Sequence, residues 1–327
     1  MTTVEKIEKG LTSEDLSTRW MWSNRLDFTP TPEQVANGLK DREWCIRRTW
    51  AKRMDYTPTP EQIESGLNDI HEYVRQAWAE RMDFTPTPEQ LERGLTDPEW
   101  QVREAWGWRM DFHPNPEQVK RALNDDNNDV KYVWAQRMDF TPTPEQVERG
   151  LTDVEADIRA AWSARTDYTP TPEQIERGLS DRHMKVRRAW AERMDFTPTP
   201  EQIRRGLADV TEQVRSAWGQ RCDFTLRPED IEKGLTSRSA MVRRSFAERN
   251  DYIASEEQIQ RGLRDRSIHI KVAWILRKEF RPNASQIKRG LKVKNNQVRS
   301  AWEKKLVMMQ TEAVEDAQDV DYMSCTI

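Results

Sequence analysis

A leucine recurs eleven times at a spacing of 28 residues, from Leu11, Leu39 and Leu67 through to Leu263 and Leu291, without an insertion or deletion. Eleven positions after each leucine stands a tryptophan, from Trp22 and Trp50 to Trp302, with Phe246 the one exception. A fixed period of about 20–50 residues marks stacked supersecondary units, each of which buries its apolar face against its neighbours. Such an array presents a surface and not an enclosed pocket, which argues against an enzyme.

Residues 31–56 show what one unit is. Thr31, Pro32 and Gln34 form the start signal of a helix, with a capping box between Thr31 and Gln34 and proline at the first helical position. Val35 and Leu39, four apart, face one way, and Gly38 reads as a left-handed closing residue. Asp41 is expected to cap a second, longer helix running to about Met54. The run Asp55, Tyr56, Thr57, Pro58 breaks it, because a residue before proline is pushed out of the α region.

Positions are counted as offsets from the repeat leucine. On a wheel of the second helix, at about 100° per residue, the Trp at offset 11 shares its face with Ile46, Val74, Val102 and Val130 at offset 7. Met54, Met82, Met110 and Met138 at offset 15 fall on the same face and are expected in the core. Offsets 10 and 12 are mostly Ala, Ser or Gly, which lets neighbouring helices approach around a large ring. The aromatic at offset 17, such as Tyr56 or Phe84, and the aliphatic of the short helix, such as Val35 or Ile63, complete the layer. Each buried Trp removes about 150–250 Å² of ring from water.

Two basic positions recur, at offset 8 (Arg19, Arg47, Arg75) and offset 14 (Arg25, Arg53, Arg81). Both lie three residues from the Trp and are placed to flank its ring as cation–π partners. Acids at offset 2 (Asp41, Asp69, Asp97) and offset 16 (Asp27, Asp55, Asp83) stand ready for them. A phosphate-binding stripe is one reading. A structural Asp–Arg ladder between repeats is the other, and it is favoured because the residues recur in every part of the array.

The run from Asp97 to Ala105, Asp followed by Val-Arg and Ala, resembles the signature of HEAT-type repeats. With the preceding Thr-Pro stretch it is similar to the bacterial leucine-rich variant repeats. The resemblance covers roughly residues 5–305 and implies an all-α, right-handed α-solenoid of eleven 28-residue two-helix repeats. It departs in its 28-residue unit and in placing Trp where those families put Ala or Val. Both families mostly serve as binding scaffolds. Some HEAT-like solenoids are alkylpurine DNA glycosylases, but a catalytic Trp, Asp and Arg set would be a departure from the pattern, and here those residues are the pattern.

Charge changes the picture. Residues 1–176 carry 22 basic against 34 acidic side chains, a net −12, and residues 177–305 carry 30 against 17, a net +13. The last stretch, 307–327, adds five acids and no base, lacks the repeat, and reads as a mobile tail. The expected organisation is one solenoid domain over 1–306, acidic in front and basic behind, followed by that tail. Opposite ends of two copies attract, so a monomer with weak head-to-tail association at low salt is expected.

Function in a solenoid lies in positions that the architecture leaves free. Offsets 5, 6, 9 and 13 point away from the Trp and are placed on the concave face. Trp20, Trp44, Tyr73, Trp100, Trp108 and Tyr132 all fall there, all in repeats one to five, and are the candidate anchors for a protein partner. The alternative is nucleic-acid binding by the basic repeats, where Lys185, Arg188, Arg244 and Lys304 add charge beyond the ladder.

Other chemistry finds little support. His71, His113, His183 and His269 share no metal-ligand spacing, and neither cofactor nor metal is expected. Cys45, Cys222 and Cys325 are odd in number and far apart, with Cys222 in a slot that elsewhere holds Met, so it reads as a small apolar filler. No segment is apolar enough to cross a membrane and the first residues form no signal peptide, so a cytoplasmic location is expected.

Overall fold

The computed structural model describes residues 3–324, with side chains described for residues 4–311. Among the described residues there are 22 helices and no strand. The chain divides into two compact units, Met1–Tyr168 and Thr169–Ile327, where the sequence pattern alone reads one array. The first unit stacks the helix pairs α1 (Thr3–Leu11) and α2 (Leu16–Ser23), α3 (Pro32–Gly38) and α4 (Trp44–Lys52), α5 (Pro60–Leu67) and α6 (Glu72–Ala79), α7 (Pro88–Leu95) and α8 (Trp100–Gly107), α9 (Pro116–Leu123) and α10 (Asn128–Gln136), and α11 (Pro144–Leu151) and α12 (Ala156–Ala164). The second holds α13 (Pro172–Leu179) and α14 (Met184–Glu192), α15 (Pro200–Leu207) and α16 (Glu212–Gln220), α17 (Pro228–Leu235) and α18 (Ala240–Ala247), α19 (Glu256–Leu263) and α20 (Ile268–Leu276), and α21 (Ala284–Gly290) and α22 (Asn296–Ser324). The last helix runs well past the final repeat, so the backbone of the acidic segment is helical as far as Ser324. Cys325 lies outside the described residues.

The first helix starts as the sequence dictates. Thr31 Oγ1 accepts the Gln34 N–H while Gln34 Oε1 accepts the Thr31 N–H, and the same reciprocal box recurs at Thr59, Thr87, Thr143, Thr171 and Thr199. Where the Thr-Pro-Thr-Pro motif degrades, Ser255 and Asn283 keep the box and Arg227 loses it. Leu226 and Ala254 occupy the slot of the first proline and are buried, so the position stays apolar and enclosed where the motif is lost.

Three local expectations are corrected. No glycine has a positive φ, so Gly38 is not a left-handed cap. Glycine is required there because the Trp50 indole lies against it: a Cβ on Gly38 would stand 2.1 Å from Trp50 Nε1, and one on Gly66 would stand 2.0 Å from Trp78 Nε1. Asp41 is not the N-cap of α4. The cap position is Glu43, and Asp41 Oδ1 accepts the Glu43 N–H at 2.9 Å from two residues earlier. Finally, α4 ends at Lys52 and not near Met54, because Arg53 turns to an extended conformation (φ −71°, ψ 132°). Met54 is therefore 62% exposed, and Met82, Met110, Met138 and Met194 are exposed with it. Cys222, in the same slot, is exposed too. A wheel continued past the end of a helix assigns the wrong face.

The core is the expected one apart from these. Trp50, Trp78, Trp106 and Trp134 are buried, with Ile46, Val74, Val102 and Val130 beside them and Ala51, Ala79 and Ala135 as small flanks. What sequence patterning understates is the role of the offset-14 arginine. The Arg81 side chain is buried and donates through Nη1 to the carbonyls of Ala51 (2.8 Å) and Arg53 (2.6 Å), and through Nη2 to that of Tyr56 (3.4 Å). Its remaining donors meet Asp83 at 2.9 and 2.5 Å, while its carbon lies 4.9 Å from the Tyr56 ring and 5.3 Å from the Trp78 ring. The same bonds to carbonyls of the preceding repeat recur around Arg53, Arg109 and Arg137 in the first unit and Arg249 and Arg277 in the second, with Glu279 in place of the aspartate beside Arg277. In the last repeat Lys305 takes the slot and donates to the Arg277 carbonyl at 2.7 Å.

Among the described residues it is the offset-14 arginines, such as Arg53, Arg81, Arg109 and Arg137, that lie over the Trp rings, and those at offset 8 serve a different contact. Where an acid stands 22 residues ahead they form the ladder: Arg47 to Asp69, Arg75 to Asp97 and Arg103 to Asp125 in the first unit, and Arg187 to Asp209 and Arg243 to Asp265 in the second, at 2.6–2.7 Å. A second ladder, absent from the sequence reading, joins first helices, as in Arg93 with Glu64 and Arg205 with Glu176. The hydrogen bond from Arg205 holds the Glu176 carboxyl down at about 2.

Three outcomes follow for stability. Gly66→Ala should lower the urea unfolding free energy by about 1–3 kcal/mol through overpacking, and the loss should shrink when Trp78 is also replaced by Leu, since the two residues share one contact. Arg81→Ala strands Asp83 and three carbonyls and should cost about 3–5 kcal/mol. Burial alone would raise the carboxyls of Asp209 and Asp265, but the bonds from Arg187 and Arg243, with backbone N–H groups, lower both below the ordinary aspartate value. Carboxyls lowered by folding stabilise above the ordinary range of about 4 and lose that effect as pH falls through the lowered values. Urea midpoints measured from pH 7 down to pH 3 should fall, and Asp209→Asn should flatten the profile.

Candidate partner-binding surface

The second helix of each repeat turns its Trp inward, so offsets 5, 6, 9 and 13 are the positions left over, and the six aromatics on them divide into two groups. Trp20 on α2, Trp108 just after α8 and Tyr132 on α10 are exposed, the two tryptophans by 52% and 53%. Trp108 is steadied by a long hydrogen bond from Nε1 to Glu104 Oε1. Trp44, Tyr73 and Trp100 are half-buried, and Trp44 and Trp100 pack against the core.

Within that second group the structure brings Trp44 and Tyr73 together through a residue the sequence reading left aside. His71 stacks on Trp44 with ring centroids 4.2 Å apart and planes 17° from parallel, and Tyr73 lies 5.5 Å from both rings. His71 also caps α6, its Nδ1 accepting the Tyr73 N–H. The Arg48 guanidinium lies 5.6 Å from the Tyr73 ring centroid. Offset 5 of one repeat thus meets offsets 4 and 6 of the next, a neighbourhood that only the inter-repeat register reveals. Among the described residues no ring contact joins Trp20, Trp108 or Tyr132 to another aromatic.

The exposed methionines are the residues that sequence reasoning missed. Met54, Met82, Met110 and Met138 follow the second helices at 28-residue intervals, on the same chain segments whose arginines point inward. Their signal was present in the sequence: the buried Arg one position earlier forces the next side chain outward once the backbone is extended.

The candidate phosphate-binding cations are spread over α14, α18 and α22. Lys185 and Lys304 are exposed. Arg188 is bonded to Glu192 at 2.7 Å and Arg244 to Glu248 at 2.6 Å, each an acid one turn further along its own helix. Arg188 and Arg244 are therefore paired within their own helices.

Grooves open between successive first helices. One between α9 and α11 has a volume of about 370 Å³, with Trp162 at its floor and Lys120, Lys131, Arg149 and Asp153 around it. Equivalent grooves lie between α1 and α3 and between α19 and α21. Among the described residues no cluster of His, Cys, Asp and Glu could hold a metal ion, and no helix is long and apolar enough to cross a membrane.

No protein-family model matches the sequence, and none of the curated proteins matches it. Among solved structures, the chain is similar to one described as a leucine-rich repeat variant with a novel repetitive protein structural motif, at 21% identity and a TM-score of 0.46, over 72% of this chain and 87% of that one.

Proposed function

We propose that this protein is a non-enzymatic interaction scaffold that binds a protein partner through the second-helix face of repeats one to five. The observation that carries the reading is the pair Trp20 and Trp108, two indoles held more than half in water on a layer that buries every repeat Trp but the first. Large exposed aromatics are the residues most enriched among interface anchors. Tyr132 joins them, and the stacked Trp44, His71 and Tyr73 supply a rigid, already ordered platform beside them. Second helices in this unit pack more closely on one another than first helices do, which favours theirs as the inner face. The net −12 of residues 1–176 favours a partner with a basic surface.

The +13 of residues 177–305 supports nucleic acid as the second reading, and counterion release then requires retardation in a gel shift that fades steeply with salt. The first reading is tested by replacing Trp20, Trp108 and Tyr132 together with Ala. Proteins captured from the native host by the full chain should be lost by this variant, with helicity and urea midpoint unchanged. An identical set captured by both proteins overturns the assignment.

A further inference from the structure

The ladder of offset-8 cations and offset-2 acids has a gap inside the second unit. Arg187 meets Asp209 and Arg243 meets Asp265 through paired bonds from Nε and Nη2, at 2.7–3.0 Å. Between them, Arg215 on α16 occupies the same position, but the residue 22 ahead of it is Ser237. Among the described residues the Arg215 guanidinium makes one hydrogen bond, from Nη1 to the Asp209 carbonyl at 2.5 Å. The edge of the fork that grips a carboxylate in the flanking repeats, Nε with Nη2, has no acceptor here.

Ser237 otherwise does what the aspartates do. Asp265 Oδ1 accepts the backbone N–H two residues on, that of Ser267, and Ser237 Oγ accepts that of Ser239 at 3.3 Å. Its carbonyl accepts from Arg243 Nη1 at 2.8 Å, as the Asp209 carbonyl does from Arg215. Ser237 is half-exposed in the turn between α17 and α18, and the next residue, Arg238, is exposed. Position 237 is thus built like an acid position: Arg215 stands 22 residues before it in the ladder register, Arg238 follows it in the chain and Arg243 bonds its carbonyl, and it lacks only the anion.

We propose that the Arg215–Ser237 gap is a phosphate position, filled by a phosphoryl group carried on Ser237. A protein kinase would transfer it from a nucleoside triphosphate. The Ser237 Oγ–phosphorus bond forms, the bond from the γ-phosphorus to its bridging oxygen breaks, the nucleoside diphosphate leaves, and the hydroxyl proton passes to the kinase's base. A phosphoserine carries a charge of about −1.5 to −2 and three acceptor oxygens, and the planar fork of arginine suits two of them at once. The modification closes the ladder between repeats eight and nine and lowers the positive charge of the second unit. It is independent of the aromatic surface on the first unit.

The test uses the full chain with phosphoserine incorporated at position 237 during translation, alongside the unmodified chain. Phosphoserine should raise the thermal midpoint by about 2–4 °C, the range for one added interaction in a unit of this size, and Ser237→Asp should raise it by a smaller step. Both gains should vanish in Arg215→Gln, and Arg215→Lys, which keeps the charge without the fork, should restore only part. Phosphorus NMR of the modified chain should show the phosphate titrating below its usual value of about 6, returning to it in Arg215→Gln. Titration of the unmodified chain with inorganic phosphate at constant ionic strength separates the sources. An Arg215-dependent rise equal to that of phosphoserine would move the assignment to a free anion and overturn the modification. No rise from either source, or a rise that persists in Arg215→Gln, overturns the phosphate position altogether.

Discussion

The structure depends on one buried charge repeated at a 28-residue interval. Helices of seven to nine residues are too short to hold themselves in water, so each must be fixed by its neighbours. The arginine at offset 14 does this. Arg81 spans two repeats, holding carbonyls of Ala51, Arg53 and Tyr56 in the repeat before it while Asp83, two residues on, balances its charge. The rings of Tyr56 and Trp78 near its carbon exclude water from these bonds. A buried guanidinium without such partners would be strongly unfavourable; with all of them in place, it fixes the register of one repeat on the next.

Other features follow from that register. The guanidinium sits where an extended residue ends the second helix, so the helix is short and the following side chain is turned outward. The Trp then lies against the glycine of its own first helix, close enough that no Cβ fits between them. Small residues at offset 12 complete the fit, and one of them adds chemistry: Ser23 accepts the Trp50 Nε1–H at 3.1 Å, whereas Gly107, in the same slot, leaves Trp134 Nε1 without a partner.

Most of the fold was legible because its signals are local or periodic. Thr31 with Gln34, Pro32 and the Leu–Trp spacing each point to one element, and each element is present. What was not legible depends on contacts between repeats. Gly38 looks like a helix terminator until Trp50 is placed beside it, and Met54 looks apolar and inward until Arg53 is seen to have left the helix. The candidate surface divides in the same way. A wheel separates Trp20 and Trp108 from the core correctly, because they lie on or directly after a helix. It cannot show that Trp44 meets His71 and Tyr73 from the following repeat, since a wheel represents one helix and the stack involves two.

The acceptors of the arginine staple are main-chain carbonyls, and this has a genetic consequence. Every residue type supplies a carbonyl, so a repeat does not need to carry a particular sequence to receive the arginine of the one after it. Units bonded in this way are interchangeable, and a segment of 84 nucleotides, one 28-residue unit, duplicated in frame brings both its own arginine and the acceptors for the next. An array can lengthen or shorten by recombination without a matched change elsewhere, and surface positions are then free to diverge copy by copy.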